Sequence, residues 1–295
     1  MKKIIGIPLL IKCLYQEGAV LFTVLLFCCS FTSQANNIDS LKAEKDYPAN
    51  PIKKEGWLLS VNDEFDGTKL NEKLWIPYYL RHRSNKDLRA EYKFENGCLV
   101  LQRNSDGCSS IQTFERTDLH KLGVRQIPTK INFVQQYGYF EIRAKSQTGK
   151  GHCIAFWLLG IQETPAQSAE IDVVEQPGHY GNYTGLSSLH LWGDSTLKPN
   201  SVEKRDFGQK ITAKQDLTTS FNIYALEWTP STLKYYLNNE LVLTVPRSPQ
   251  YKMGILISFY QGDKSWFGPV DKSISYPKEF AVDYFRAYTK KGNKY

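Results

Sequence analysis

The sequence holds no cluster of lysines and arginines of the kind that grips nucleic acid, and no phosphate-binding glycine loop. None of its 295 residues falls in a segment that sustains helical periodicity beyond a few turns. There is no internal repeat of solenoid or propeller length. Past residue 35 no apolar run is long enough to cross a bilayer. The five histidines, His82, His120, His152, His179 and His190, do not pair at metal-ligand spacing. These absences set aside nucleic-acid binding, nucleotide-dependent chemistry, helical architectures and a His-ligated metal centre. Cysteine is scarce as well. Cys13, Cys28 and Cys29 lie near the start, leaving Cys98, Cys108 and Cys153, an odd number for an oxidising setting. Cys98 and Cys108 flank the turn at residues 103–107, so a disulfide across that hairpin and three buried free thiols are both open readings.

What is present points outward. Residues 1–35 read as a secretory leader that is removed: Lys2 and Lys3, a short apolar core at 19–27, then small residues at Ser33 and Ala35. Lipidation at Cys28 or Cys29, giving an outer-surface anchor, is the second reading. Export is therefore expected, with contact to a membrane only through such an anchor. Residues 36–55, polar and carrying Pro48 and Pro51, read as a linker; 56–290 form the folded domain and 291–295 a tail. The formal charge is +7, and losing the leader's three Lys and one Glu leaves +5, which bears on solubility more than on partners. Aromatic residues make up 13%, with 18 Tyr and 6 Trp, a composition suited to stacking on sugar rings as well as to a core.

The chain is organised around Ala169-Glu170-Ile171-Asp172-Val173-Val174-Glu175-Gln176. Three carboxylates in six residues, spaced by Ile and Val, predict a strand. Side chains alternate faces along a strand, so Glu170 and Asp172 share one side while the third acid arrives one position late. A β-bulge after Asp172 restores the phase and returns Glu175 to that side. Glu170 and Glu175 then have Cα atoms about 13 Å apart at about 3.3 Å per residue. Converging on a concave face, their carboxyls come to about 5 Å, the separation at which one carboxylate attacks an anomeric carbon and the other protonates the leaving group. Closely spaced carboxylates cannot all ionise cheaply, so one pKa rises, and the raised group is the natural acid.

Around this stretch the sequence predicts short strands punctuated by turns, the pattern of an all-β sandwich. They are expected at 97–102, 137–146, 153–159, 169–175, 185–192, 221–229, 232–237, 253–260 and 281–289. Asn238-Asn239 supplies a two-residue hairpin turn. Trp157 ends the strand before the acids, and His190 and Trp192 lie on one after it, so these side chains are expected to border them. Trp266, in the loop at 261–269, is a further candidate ligand because loops carry function. The charged segment 75–94, with Arg81, His82, Arg83, Lys86, Asp87 and Arg89, could border a cleft and meet an acidic glycan, or form a solvated loop.

Taken together these pieces resemble the family 16 glycoside hydrolases, β-jelly-roll enzymes that include laminarinases, lichenases, agarases, porphyranases and κ-carrageenases. The resemblance covers roughly residues 57–289. Its strongest element is Glu170-Ile171-Asp172-Val173-Val174-Glu175, matching the bulged form Glu-x-Asp-x-x-Glu. Asn62-Asp63-Glu64-Phe65-Asp66-Gly67, Tyr137-Gly138-Tyr139-Phe140-Glu141-Ile142-Arg143-Ala144, Ala155-Phe156-Trp157-Leu158-Leu159-Gly160, Tyr224-Ala225-Leu226-Glu227-Trp228-Thr229-Pro230 and Val282-Asp283-Tyr284-Phe285-Arg286 support it. The resemblance implies a concanavalin-like sandwich of two curved antiparallel sheets with a concave cleft. It implies a retaining endo-β-glycanase that cuts β-1,3 or β-1,4 bonds of a polysaccharide. A transglycosylase and a non-catalytic carbohydrate-binding jelly roll are the alternatives. Glu170 would be the nucleophile, Glu175 the acid and then base, and Asp172 the group between them. Trp157, His190, Trp192, Trp266 and Tyr139 would meet substrate. No cofactor would be needed for catalysis. A structural calcium would sit on Glu64, the Gly97 carbonyl and Asp283, oxygen ligands that suit Ca²⁺. The enzyme would act as a monomer. After Glu175 the chain reads Gln176-Pro177-Gly178-His179-Tyr180, where laminarinase-like members continue differently, so a β-glucan substrate does not follow.

Overall fold

The computed structural model describes residues 45–292 apart from 80–88, 118–126, 148, 162, 165, 166, 193, 195, 196, 198–205, 263–267, 272 and 274. The expected leader, the anchor cysteines Cys28 and Cys29, the segment through Arg81, His82, Arg83, Lys86 and Asp87, and Trp266 lie outside the described residues.

In chain order the strands are β1 (Trp57–Asp63), β2 (Tyr92–Glu95), β3 (Cys98–Arg103), β4 (Gly107–Gln112), β5 (Phe114–Thr117), β6 (Ile127–Ile131), β7 (Gly138–Ser146) and β8 (His152–Gly160). They continue with β9 (Glu170–Pro177), β10 (Thr184–His190), β11 (Asp206–Thr212), β12 (Asn222–Trp228), β13 (Leu233–Leu237), β14 (Glu240–Val245), β15 (Met253–Gln261) and β16 (Lys278–Lys290). One sheet has the order β14-β13-β12-β7-β16-β3-β2, with β1 also on β16. The second runs β11-β10-β9-β8-β15-β4, and β5 and β6 pair separately. All these pairings are antiparallel. No α-helix occurs among the described residues; Gly178–Tyr180 forms a single 3-10 turn after β9.

Alternation builds the core. Phe140, Ile142, Leu226, Trp228, Val282 and Phe285 of the first sheet meet Phe156, Leu158, Ile171, Leu189, Ile255 and Ile257 of the second in one apolar layer. Each such side chain contributes about 1.5–3 kcal/mol on burial. The hairpin at Asn238-Asn239 forms as expected, with φ +52 and +65, the left-handed pair its tight turn requires.

Two differences from the sequence reading have physical causes. Cys98 and Cys108 do not flank a hairpin: β3 belongs to one sheet and β4 to the other, and Cys98, Cys108 and Cys153 are all free and buried. The turn between β3 and β4 is a corner held by buried Arg103, whose guanidinium donates to the Ser105 and Asp106 carbonyls and to Ser109 Oγ. The second difference is at the start. The last part of the expected linker is a strap over the first sheet: Phe221 N–H donates to Asp46, Arg143 to the Tyr47 carbonyl, Arg286 to the Asn50 carbonyl and Tyr288 to the Ile52 carbonyl.

Candidate active site

β9 lies between β8 and β10, and its two ladders locate the bulge. Trp157 and Ala155, two apart on β8, face Asp172 and Glu175, three apart on β9. The ladder to β10 shifts at the same place, with Ser188 opposite Asp172 and Leu186 opposite Glu175. The extra residue falls at Val173-Val174, and both valines are buried in the apolar layer. Ser187 Oγ donates to the Val173 carbonyl at 2.7 Å, satisfying a group that the bulge takes out of the ladder. Glu170, Asp172 and Glu175 consequently line one cavity of about 600 Å³ on the outer face of the second sheet.

The acids are held from β10. Asp172, 2% exposed, accepts from Ser188 Oγ at 2.8 Å and lies 3.2 Å from His190 Nε2. Tyr235 reaches from the other sheet to donate to the Ser188 carbonyl at 2.8 Å. Trp192, 61% exposed and at φ +43, donates from its indole N–H to Glu170 Oε2 at 3.3 Å. Its ring stacks on His190 with 5.3 Å between centroids. One ligand atom each from Glu170, Asp172 and His190 lie within 4.8 Å of one another. Glu175 is half-buried, and its carboxyl is pushed well above the ordinary Glu range by burial, then by the charges of Asp172 and Glu170. His190 acts the other way, more weakly. Such a carboxyl resists ionisation.

Aromatic walls flank the acids. Trp157 lines the cavity with its indole N–H tied to Ser258 Oγ at 3.0 Å, and Ser258 is tied to Ser110 at 2.8 Å. Trp157, His190 and Trp192 thus stand where the sequence places them. Tyr139 does not. It is on β7 in the other sheet, packed among Ala225, Tyr288, Trp57 and Tyr236 on the side remote from the acids. Its strand was legible, but the sheet to which that strand belongs was not. The sequence reading missed Tyr79, Tyr180, Ser188 and Tyr260, which line the cavity. Ser188 carried a signal: it sits two residues before His190 and so shares its face.

The residues expected to hold calcium do not fit the ion. Arg286 grips Glu64 with two N–H groups at 2.6 and 2.8 Å, and Arg143 holds Asp283 at 2.8 Å. Gly97, at φ +70, lies beside Asp66. Each named carboxylate is already neutralised by a guanidinium, which a nearby dication would repel.

The family model for glycosyl hydrolases family 16 matches residues 90–278. The chain belongs to this family. Among solved structures, a "GlcNAc[alpha]1-4Gal releasing endo-[beta]-galactosidase" from Clostridium perfringens superposes with a TM-score of 0.74 at 32% identity, covering 85% of this chain and 66% of that one. A glucan endo-1,3-beta-glucosidase A1 from Niallia circulans is 25% identical over 266 residues, 79% of this chain and 38% of the relative. A keratan-sulfate endo-1,4-beta-galactosidase from Sphingobacterium multivorum is 28% identical over 169 residues, 53% of this chain and 37% of the relative. The chain spans little more than a third of the length of these two curated relatives. The family 16 match takes in the whole acid strand, both strands paired with it and the aromatic wall at Trp157.

Proposed function

We propose that the chain is a retaining endo-β-galactosidase, cutting internal β-galactosidic bonds of a galactose-containing glycan by double displacement. The observation that carries the reading is the bulge at Val173-Val174, which brings Glu170, Asp172 and Glu175 onto one cleft face. Glu170, oriented by the Trp192 N–H, attacks the anomeric carbon while Glu175, whose proton burial and the nearby acids hold in place, protonates the departing glycosidic oxygen. The glycosyl-enzyme ester so formed is then attacked by water. Glu175 takes the proton of that water, Glu170 leaves, and two inversions give net retention. Asp172, fixed by Ser188 and His190, is the fixed negative charge that keeps Glu175 protonated in the first step. Trp157 and Trp192 offer stacking surfaces on either side of β9.

The galactosidase reading over a glucanase one rests on likeness. The clostridial endo-β-galactosidase matches at 32% identity, above the 25–28% of the glucanase relatives. Export, expected from the leader, is consistent with a polymeric glycan substrate. The test compares wild type with Glu170→Gln on keratan, mucin O-glycans, agarose, laminarin and mixed-linkage glucan. Wild type should release oligosaccharides from a galactose-containing member. Glu170→Gln should bind the same glycan and lose nearly all turnover. Cleavage confined to the glucans, or turnover by Glu170→Gln near the wild-type rate, would contradict the proposal.

A further inference from the structure

The β11 side of the cleft carries a cation that the hydrolysis leaves unused. Pairing of β10 with β11 sets Leu186 opposite Lys210, Ser188 opposite Gly208 and His190 opposite Asp206. Residues paired in this way share a face of the sheet. Leu186, Ser188, His190 and Gly208 all line the cavity, so Lys210 stands on the cleft face too. Its ammonium lies 3.9 Å from the centre of the Tyr180 ring, and Tyr180 lines the same cavity. No carboxylate placed among the described residues pairs with Lys210.

From these contacts we infer that Lys210, held by Tyr180, forms a subsite for an anionic substituent of the glycan, a sulfate ester or a sialyl carboxylate. The inference rests on the hydrolase reading above and adds the charge class of the substrate to it. Three features support it. Glu175, Leu186 and Lys210 lie in one row across three strands, so Lys210 is about 10 Å from Glu175 at about 4.8 Å per strand. An anion next to the three acids would be repelled; at the distance of Lys210 it belongs to a neighbouring sugar unit. A free surface lysine gains little from an ion pair because ordering its long side chain offsets the attraction. The ring of Tyr180 orders the ammonium beforehand and leaves its outward N–H groups open to an acceptor. Finally, Gly208 keeps the floor between Ser188 and the β11 wall clear: a Cβ there would sit 3.3 Å from the Ser188 Cβ.

The experiment uses one galactan-type oligosaccharide in neutral, sulfated and sialylated forms, with wild type, Lys210→Ala and Lys210→Arg. The ratio of kcat/KM on a charged form to that on the neutral form should fall about fivefold in Lys210→Ala, the size of a well-placed exposed ion pair. Lys210→Arg should keep most of it. The difference should fade at high salt, where exposed charges are screened. The charged form that responds identifies the anion. An unchanged ratio, or an equal loss on all three forms, would overturn the subsite and leave Lys210 as packing for Tyr180. Binding to Glu170→Gln, with and without Lys210→Ala, separates the two claims. Wild type inactive on every form would overturn the hydrolase reading, while salt-sensitive, Lys210-dependent binding of a charged form would still uphold the subsite. Binding indifferent to charge would overturn it.

Discussion

At Glu175 three influences act in one direction: burial, the Asp172 carboxylate and the Glu170 carboxylate all resist ionisation. A general acid in the first step must be protonated, so the alkaline limb of kcat/KM against pH reports this group. Asp172→Asn removes a negative charge that holds the proton on Glu175. The Glu175 pKa should therefore fall, and the alkaline limb of the residual activity should move to lower pH. The pH profile of kcat/KM for both enzymes checks this; a limb that stays in place, or moves to higher pH, would contradict it. Individual residues were legible unevenly. The acids, Trp157, His190 and Trp192 declared themselves by type and spacing. Tyr79 and Tyr260 did not, because a tyrosine that packs edge-on against another, here at 5.8 Å between centroids, has no sequence mark separating it from a core tyrosine.

The strand β9 shows why one residue of phase matters. Val173 and Val174 both enter the apolar layer, and that double step returns Glu175 to the cleft. Inserting one Val between Val174 and Glu175 puts the two glutamates six positions apart, in phase without a bulge but about 20 Å apart at about 3.3 Å per residue, too far for their carboxyls to act on one bond. Turnover should then fall by about 10²–10⁴, the contribution of a general acid–base group. Deleting Val173 instead gives plain alternation of Glu170, Asp172 and Glu175 on one face, and measurable turnover should survive. Rates of the two variants on the glycan that wild type cleaves decide the point; an active insertion variant would contradict it. This element was legible because Ile and Val on one side and acids on the other leave a single way to restore the period. β4 and β11 were not, because their buried or cleft-facing positions hold Ser109, Ser110, Gln112 and Gly208 in place of an apolar alternation.

Across the whole molecule, the all-β class and most strands of the sandwich were readable from turns and alternation, whereas strand partnership was not. Sequence neighbours such as β3 and β4 part at a corner, and β16 closes the first sheet against β1, β3 and β7, contacts separated by more than a hundred residues. That long-range pairing decides that Tyr139 faces away from the acids while Lys210 and Tyr180 face the cleft. The two sheets divide the work accordingly: the first carries the strap and the Arg286–Glu64 and Arg143–Asp283 pairs, and the second carries the acids. The central claim is that this second sheet performs double displacement with Glu170 and Glu175. It is tested most directly by proton NMR of the reducing end released in the first moments of hydrolysis, before mutarotation. The β anomer should appear first and the α anomer only later; immediate appearance of the α anomer would contradict the account.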